Sequence, residues 1–186
     1  MQLESNRLLL RPLKQSDNEI LFKLHTDPLV VELILNGKPM SRHESDKKLA
    51  YYLDEWDRVG HGFWIVYEKT ANGKLEFVGR CGLRDYDGKD FELGYCFLGS
   101  SAGRGIASEA AKIVKNSAFD ILSLKKIVAI VRPKNTASQA ILKKLGFTYN
   151  RRVHLRGSHY LLYDLYNNRQ NTSLYKEVNR EKLSLL

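Results

Sequence analysis

The sequence predicts an α/β fold in which a mixed, mostly antiparallel sheet of about seven strands carries helices on both faces. Three observations predict this fold. Apolar residues recur at helical spacing up to Gly60, after which the pattern becomes strand-like. Three strand-like segments then follow one another between residues 63 and 98, as in an antiparallel meander. Beyond a glycine-rich turn, two helical patterns alternate with apolar strand patterns.

The segment before the meander is predicted to be mainly helical. Residues 7–13 form a first strand. Ser16 and Glu19 have the spacing of a capping box, which predicts a helix from there to about residue 24. Asp27-Pro28 predicts a second helical start, because proline fits the first helical position. A further capping box at Ser41–Glu44 opens a third helix that ends near residue 60.

The remaining elements complete the sheet. The strands of the meander are predicted at 63–69, 77–83 and 91–98, with a turn at Asn72-Gly73. They are followed by a helix over 107–122, a short apolar strand over 127–131, a helix over 137–145 that ends at Gly146, and a hairpin of strands over 149–155 and 159–166. We expect residues 1–166 to form one domain and residues 167–186 to form a polar, peripheral tail.

Length and composition are those of an ordinary soluble globular protein. The chain has 186 residues, of which 43% are hydrophobic and 27% charged. Its apolar runs, such as 128–131, are too short to span a membrane, and its first residues lack a secretory signal, so a cytoplasmic protein is expected. The two cysteines, Cys81 and Cys96, are predicted to be buried free thiols. No His/Cys cluster has zinc-site spacing, so no metal is expected.

Positive charge is concentrated in the C-terminal half. The net charge is +9; residues 1–93 carry 14 Lys/Arg and 16 Asp/Glu, whereas residues 94–186 carry 16 and 5. Such a field raises the local concentration of a polyphosphate ligand, but it attracts nucleic acid equally well. Most of the basic residues are dispersed; one cluster contains Arg151, Arg152, His154 and Arg156. Charge therefore indicates an anionic partner without identifying it, the alternative being that it only keeps the chain soluble.

The most informative local pattern is a strand, a glycine-rich turn and a helix. Residues 91–98 lead into the loop Ser100–Ala107, and the long helix follows. A helix N-terminus presents unpartnered N–H groups and partial positive charge, and glycines let the backbone approach a phosphate closely. The loop lacks the Lys-Ser/Thr ending of a P-loop and the spacing of a dinucleotide fingerprint. It predicts a phosphate-sized anion site, the alternative being a turn without a ligand.

Several spaced segments together resemble the GCN5-related N-acetyltransferase (GNAT) superfamily. These segments are Leu3–Leu13, Phe91–Phe97 followed by Gly103–Ala110, and Asn135–Ser138 followed by Leu142–Phe147. They are similar to the branch that contains ribosomal-protein N-terminal (alanine/serine) acetyltransferases, over about residues 3–166. The resemblance implies a GNAT-like fold, an N-acetyltransferase domain over 1–166 and acetyl-CoA as the acetyl donor.

The resemblance also implies which residues bind the donor. Backbone amides of the loop and the first helical turn would hold its pyrophosphate, namely those of Gly103, Arg104, Gly105, Ile106, Ala107 and Ser108. Backbone groups of Cys96, Phe97 and Leu98 would pair with the pantetheine arm and polarise the thioester carbonyl. The family pattern Gln/Arg-x-x-Gly-x-Gly/Ala falls on 102–107, with an alanine at its first position. Asn135 would hydrogen-bond the cofactor, although it equally suits a helix N-cap.

Two side chains are candidates for proton transfer. Glu92, on the strand that lines the thioester, is the candidate base, directly or through water; the alternative is a carboxylate on the solvent face of a strand. Ser138 is the candidate acid by resemblance, because Leu142 stands where other members carry a tyrosine acid. The alternative is that Ser138 only positions the thiol through a hydrogen bond, because a serine hydroxyl is a weak acid. Direct attack in a ternary complex rests mainly on proximity, worth up to about 7–11 kcal/mol. No covalent role is therefore given to Cys96.

The acceptor is predicted to be a primary amine, on a protein N-terminus or a small molecule. Candidates for its cleft lie in and around the meander, with core packing as the alternative for the aromatic residues: Trp56, His61, Trp64, Arg84, Asp85 and Tyr86. The basic cluster would meet the 3′-phosphate of coenzyme A or a ribosomal surface, so nucleic acid enters only through a ribosomal substrate. No membrane partner is expected, and the chain is expected to be a monomer or homodimer. A non-catalytic acyl-CoA sensor and a nucleic-acid-binding module stay open as alternatives.

Overall fold

The computed structural model describes residues 1–155 and 157–167 of the chain. In chain order its elements are β1 Leu3–Glu4, β2 Leu8–Pro12, α1 Asn18–Thr26, α2 Pro28–Leu33, α3 Arg42–Val59, β3 Phe63–Lys69, β4 Leu75–Asp85, β5 Phe91–Phe97, α4 Ile106–Asp120, β6 Lys126–Val131, α5 Thr136–Lys144, β7 Thr148–Leu155 and β8 Ser158–Tyr166. Arg156 of the predicted basic cluster and residues 168–186 of the predicted tail lie outside the described residues.

The strands form one sheet in the order β1-β2-β3-β4-β5-β6-β8-β7. All neighbouring strands are antiparallel except β5 and β6, which are parallel. This confirms the predicted mixed, mostly antiparallel sheet. The described sheet has eight strands because Leu3 and Glu4 pair with Leu10 and Leu9 as an edge strand, which is too short to leave a pattern in the sequence.

Helices cover both faces of the sheet, as predicted. Successive side chains of β3 alternate between the faces, so that Phe63 and Ile65 pack with α1–α3 whereas Trp64 and Val66 pack with α4. The buried stripe of α4 consists of Ile106, Ala110, Ala111, Val114 and Ala118. Burial of this stripe stabilises the packing of α4 on the sheet by about 25 cal/mol per Å² of apolar surface removed from water. The packing holds the N-terminus of α4 beyond the end of β5.

Two helix starts and one helix end are those predicted from local signals. Asp27 Oδ1 accepts hydrogen bonds from the first amides of α2, at 3.0 Å from Leu29 N. Ser41 and Glu44 form the reciprocal capping box of α3, with Ser41 Oγ 3.2 Å from Glu44 N and Glu44 Oε2 2.7 Å from Ser41 N. Gly60 ends α3 with a φ of +72°, a conformation that glycine adopts at little cost.

The capping box predicted at Ser16 is wrong. Ser16 is exposed, and α1 begins at Asn18 after a short 3₁₀ turn. Asp17 bonds instead to residues that precede the helix: its Oδ2 accepts a hydrogen bond from Lys14 N at 2.7 Å, and its carboxylate pairs with both terminal nitrogens of Arg11 at 2.7 and 2.8 Å. A carboxylate suits this position better than a serine hydroxyl, because it accepts hydrogen bonds from a backbone amide and from a guanidinium at the same time.

The parallel strands β5 and β6 pair only at their beginnings. Their ladder contains two residue pairs, Phe91 with Ile127 and Glu92 with Val128. β5 continues for five residues beyond Glu92 and β6 for three beyond Val128, so the strands diverge after this point. This point of divergence is the vertex of a gap in the middle of the sheet. Main-chain groups beyond the vertex face the gap, where a ligand can supply the missing hydrogen bonds.

Both cysteines are buried free thiols, as predicted. Burial raises the pKa of Cys96 to about 11, and it raises the pKa of Cys81 further. Neither thiol is therefore activated as a nucleophile, which agrees with the absence of a covalent role for Cys96 in the predicted chemistry. Among the described helices, none combines the length and the apolar character needed to cross a membrane.

Candidate active site

The gap between β5 and β6 is lined by main-chain groups of alternate β5 residues. Leu98 N donates to Val78 O at 2.9 Å, so even-numbered residues of β5 direct their N–H and C=O groups toward β4 in the antiparallel ladder. The odd-numbered residues Leu93, Tyr95 and Phe97 consequently direct theirs toward the gap. The gap therefore offers main-chain donors and acceptors to an extended, amide-containing ligand.

The three residues predicted to contact the pantetheine are not equivalent. Phe97 has its main-chain groups toward the gap. Leu98 uses its N–H on β4 and its carbonyl on Ser101 N, at 2.9 Å, so both its main-chain groups are engaged within the protein. Cys96 has the same orientation as Leu98 by alternation along the strand. The gap-facing Tyr95 was not among the predicted contacts, although the strand alternation of the sequence could have indicated it.

The glycine-rich loop ends in an uncapped helix N-terminus. Gly105 is the N-cap of α4 with a φ of +76°, and Gly103 has a φ of +73°, both in the left-handed region. No side chain caps α4. Glu109 N makes the first helical hydrogen bond, to Gly105 O at 3.1 Å, so the amides of residues 106–108 have no partner within the helix. Together with the positive end of the helix dipole, these amides form a site for an anion.

The side chain of Arg104 points away from this anion site. Its Nη2 donates to both carboxylate oxygens of Glu68 on β3, at 2.7 and 2.6 Å. Because Glu68 neutralises the guanidinium, Arg104 adds less long-range attraction for a phosphate than its sequence position indicated. Its carbonyl accepts a hydrogen bond from Arg7 at 3.2 Å, so Arg104 anchors the loop to β3 and to the turn before β2.

Two further carboxylates hold the loop in position. Asp27, the N-cap of α2, accepts a hydrogen bond from Gly99 N at 3.0 Å. Glu109, in the first turn of α4, binds Ser5 Oγ at 2.6 Å and Arg7 Nε at 2.9 Å. Its negative charge is thus directed to β2 rather than toward the anion site. The loop conformation is therefore fixed from both faces of the sheet.

Asn135 and Ser138 lie on the other side of the gap, at the start of α5. Asn135 is the N-cap: its Oδ1 accepts a hydrogen bond from Ser138 N at 3.0 Å. This use of Oδ1 leaves the Nδ2 group of Asn135 as the part that a ligand can use. Ser138 Oγ lies 2.8 Å from the hydroxyl of Tyr95, which is a pair that sequence reasoning missed. Burial raises the pKa of Tyr95 although the Ser138 hydrogen bond lowers it, so the phenol keeps its proton at neutral pH.

Glu92 lies at the vertex of the gap and is held by Arg84. Arg84 Nε donates to Glu92 Oε2 at 2.8 Å and Nη2 donates to Oε1 at 2.6 Å, a bidentate pair between β4 and β5. Glu92 is 4% exposed, so it is not the solvent-facing carboxylate of the alternative prediction. Burial lowers the pKa of Arg84, but the Glu92 carboxylate more than compensates and the pKa is raised overall. The Arg84 guanidinium therefore keeps its charge, and its two hydrogen bonds orient the Glu92 carboxylate.

A cavity of about 890 Å³ connects these features. It extends from the loop through the gap to the face of the sheet that α1–α3 cover, and Glu92, Ser138 and Asn135 all line it. Arg84, Asp85 and Tyr86 line it as well, as expected for an acceptor cleft. The cavity brings most of the predicted site residues into one continuous space.

The other three acceptor-cleft candidates are core residues. Trp56 and Trp64 pack edge-to-face at 4.9 Å, and their Nε1 groups donate to the carbonyls of Phe63 and Met1 at 2.8 and 2.9 Å. His61 is buried with its ring 4.5 Å from that of Phe91, and burial lowers its pKa. None of the three lines the cavity among the described residues, so the core-packing alternative holds for them.

Comparisons with known proteins agree with this geometry. Residues 7–148 match the family model of the acetyltransferase (GNAT) domain. The chain is 29% identical over 149 residues to the uncharacterized N-acetyltransferase p20 of Bacillus licheniformis. The aligned segment covers 78% of this chain and 81% of that protein. An acetyltransferase from Agrobacterium tumefaciens strain C58 is 26% identical with a TM-score of 0.77, over 90% of this chain and 95% of that one. RimL, a ribosomal L7/L12 α-N-protein acetyltransferase solved with coenzyme A, shares the fold at 18% identity, with a TM-score of 0.74 over 89% and 98% of the two chains.

Proposed function

The chain belongs to the acetyltransferase (GNAT) family and is an acyltransferase, and we propose that it moves the acetyl group of acetyl-CoA directly to a primary amine. The gap between β5 and β6 carries this proposal. It places main-chain hydrogen-bonding groups in a cavity that connects an anion site with the face of the sheet that α1–α3 cover. A donor bound there presents its thioester beside Glu92, at the vertex of the gap.

The residues around the gap fit an acetyl-CoA molecule. The amides from Gly103 to Ser108 would hold the pyrophosphate, and the gap-facing groups of Tyr95 and Phe97 would pair with the pantetheine amides. Asn135 would donate its Nδ2 hydrogens to the same arm. Relative to the prediction from the sequence, this assigns the strand contacts to Tyr95 and Phe97, while Cys96 and Leu98 contribute the walls of the cavity.

The proposed reaction needs a neutral amine, a stabilised oxyanion and a proton for sulfur. The amine nitrogen attacks the thioester carbonyl carbon; a C–N bond forms, the C–S bond breaks and the electron pair leaves on sulfur. Tyr95 N–H is the donor for the carbonyl oxygen, because it faces the gap two residues nearer to Glu92 than Phe97 N–H, which pairs with the pantetheine. Such an interaction is worth about 3 kcal/mol in comparable sites. Glu92 accepts the amine proton, directly or through water, and its bidentate contact with Arg84 fixes the orientation of the carboxylate.

Ser138 and Tyr95 are proposed to supply the hydrogen bond and proton for the leaving thiolate. We expect Ser138→Ala to lower kcat by about 100-fold, in the range typical of a lost proton donor, and Tyr95→Phe to lower it by about tenfold, the effect of one lost hydrogen bond. Thiol-release assays across pH would measure both. The basic limb of the pH–rate profile should shift in these variants, whereas a purely structural role would leave it in place.

Tyr163→Phe is the matched control for this pair. Its hydroxyl makes only a 3.5 Å contact to Gln139 on α5 and does not line the cavity of the described chain. We expect it to leave kcat within about twofold of wild type. Wild-type kcat and an unmoved pH profile in Ser138→Ala would exclude Ser138 and Tyr95 from proton delivery.

The acceptor class is proposed to be a protein N-terminus or a small amine. The fold shared with RimL supports the former, and a cavity of about 890 Å³ has room for the latter. We place the enzyme in the cytoplasm as a monomer or homodimer, with any nucleic-acid contact made only through a ribosomal substrate.

A screen of N-terminal peptides, polyamines, aminoglycosides and amino acids, with the chain saturated in acetyl-CoA, tests the function. We expect at least one class to give thiol release that matches the acetylated product seen by mass spectrometry. Binding of acetyl-CoA without turnover on every acceptor would support the sensor alternative, and no calorimetric binding at high micromolar acetyl-CoA would overturn the donor assignment.

A further inference from the structure

A guanidinium is buried in the cavity without a carboxylate partner. Arg80, on β4, is only 9% exposed and lines the cavity on the face that α1–α3 cover. Within the described part of the chain it forms no ion pair, and its Nε is buried without a hydrogen bond. Buried charges in proteins are paired as a rule, because desolvation of an unpaired charge is strongly unfavourable. Arg80 is therefore suited to pair with an anionic group of a ligand.

Aromatic rings, rather than an acid, hold Arg80 in place. Its Cζ lies 4.4 Å from the ring centroid of Phe63 and 4.9 Å from that of Tyr52. Cation–π contacts of this kind orient the guanidinium but accept none of its N–H hydrogens. Tyr52 is itself fully buried, and its hydroxyl also lacks a hydrogen-bond partner among the described residues. Two buried donors thus lie side by side at one wall of the cavity.

The surroundings of Arg80 add positive charge. Lys48, one turn before Tyr52 on α3, lines the same cavity, and its Nζ is 5.4 Å from the Tyr52 ring. Burial, together with Arg80 and Lys48, lowers the pKa of the nearby His25 to about 3. His25 is therefore neutral at physiological pH and carries no charge of its own to this wall.

Three acidic residues near the cavity already have partners elsewhere. Glu92 is paired with Arg84, and Asp85 lies 3.8 Å from Arg58. Asp27 accepts hydrogen bonds from backbone amides at the loop and at the start of α2. None of these carboxylates is bonded to Arg80 in the described residues. Within the described residues these carboxylates are thus engaged, so Arg80 is free to pair with an anion that a ligand brings into the cavity.

We propose that the acceptor carries a carboxylate as well as its amine, and that Arg80 binds this carboxylate with the hydroxyl of Tyr52. The inference rests on the proposed acetyl transfer to an amine. A planar guanidinium matches a carboxylate through two parallel hydrogen bonds, and a phenol can add a third. Leu33 at the end of α2 and the following Ile34 line the same cavity and suit the hydrocarbon between the two groups. The donor's phosphates are a different anion, since α4 packs against the opposite face of the sheet.

Matched product analogues test the proposal without turnover. The probes are N-acetylated ω-amino acids with chains of two to six carbons, each compared with its neutral terminal amide. They are titrated calorimetrically into the full chain saturated with coenzyme A. We expect at least one carboxylate to bind tenfold or more tightly than its amide. Equal affinity within every pair, or no binding of any carboxylate, would overturn the proposal.

Two variants identify the residues responsible. Arg80→Gln is expected to reduce the preference for carboxylate to within twofold, while coenzyme A affinity stays unchanged. Tyr52→Phe removes only an unpartnered hydroxyl, so it should fold normally and lower carboxylate affinity several-fold; it keeps the test decisive should Arg80→Gln unfold. Discrimination retained in both variants would overturn the assignment. Loss of coenzyme A binding in the wild type would instead contradict the proposed function, and the carboxylates could still be titrated into the free chain.

Discussion

Gly105→Glu is expected to abolish acetyl-CoA binding, with affinity falling by more than about 100-fold. Gly105 has a φ of +76° at the N-cap of α4, where a residue with a Cβ is strained by about 1–2 kcal/mol. The added carboxylate would also place negative charge beside the amides that the phosphates need. The strain and the negative charge both disfavour the loop conformation that binds the phosphates. Isothermal titration with acetyl-CoA measures the loss directly.

Two variants separate strain from charge in this result. Gly105→Ala carries the strain without the carboxylate, so an intermediate loss of affinity is expected. Gly73→Glu makes the same chemical change at a φ of +77° in the β3–β4 hairpin, where nothing lies within 4 Å of the new Cβ. It should destabilise the fold to a similar degree and leave acetyl-CoA affinity intact. Micromolar affinity retained in Gly105→Glu would refute the phosphate site at the start of α4.

Much of the fold could be predicted because its signals are local. The cap at Ser41, the turn at Asn72-Gly73 and the strand–glycine–helix sequence around Gly105 each depend on residues within a few positions of one another. Such patterns survive in a single sequence. The error at Ser16 has the opposite cause, since Asp17 is selected by Arg11, a partner on a neighbouring element.

The parts of the candidate site that the sequence did not predict depend on long-range partners. The contact of Tyr95 with Ser138 joins residues that are 43 positions apart, and Arg104 is turned away from the anion site by Glu68, 36 positions before it. Arg80 is informative only because its neighbours are aromatic and no acid among the described residues pairs with it, which no local pattern encodes. Side-chain direction at the gap likewise follows from strand register, which is a property of the assembled sheet.

Glu92→Gln is expected to lower kcat by about 10²–10⁴-fold while acetyl-CoA affinity changes less than about twofold. The amide keeps the size of the side chain but does not accept the amine proton. Because Glu92 is at the vertex of the gap, the acid limb of the pH–rate profile should disappear as well. Thiol-release kinetics across pH and calorimetric titration of the donor measure the two halves of this expectation.

The ion pair with Arg84 makes a structural control necessary. Glu92→Gln leaves a buried guanidinium without its counter-charge, which typically destabilises a fold by about 3–5 kcal/mol. Glu55→Gln is the matched control: Glu55 is 1% exposed, accepts hydrogen bonds from Tyr51 and from Asp85 N, and lies outside the cavity of the described chain. It should lose stability in urea denaturation but keep kcat. If both variants lost kcat in proportion to stability, Glu92 would be a structural partner of Arg84, and the amine would have to lose its proton to solvent.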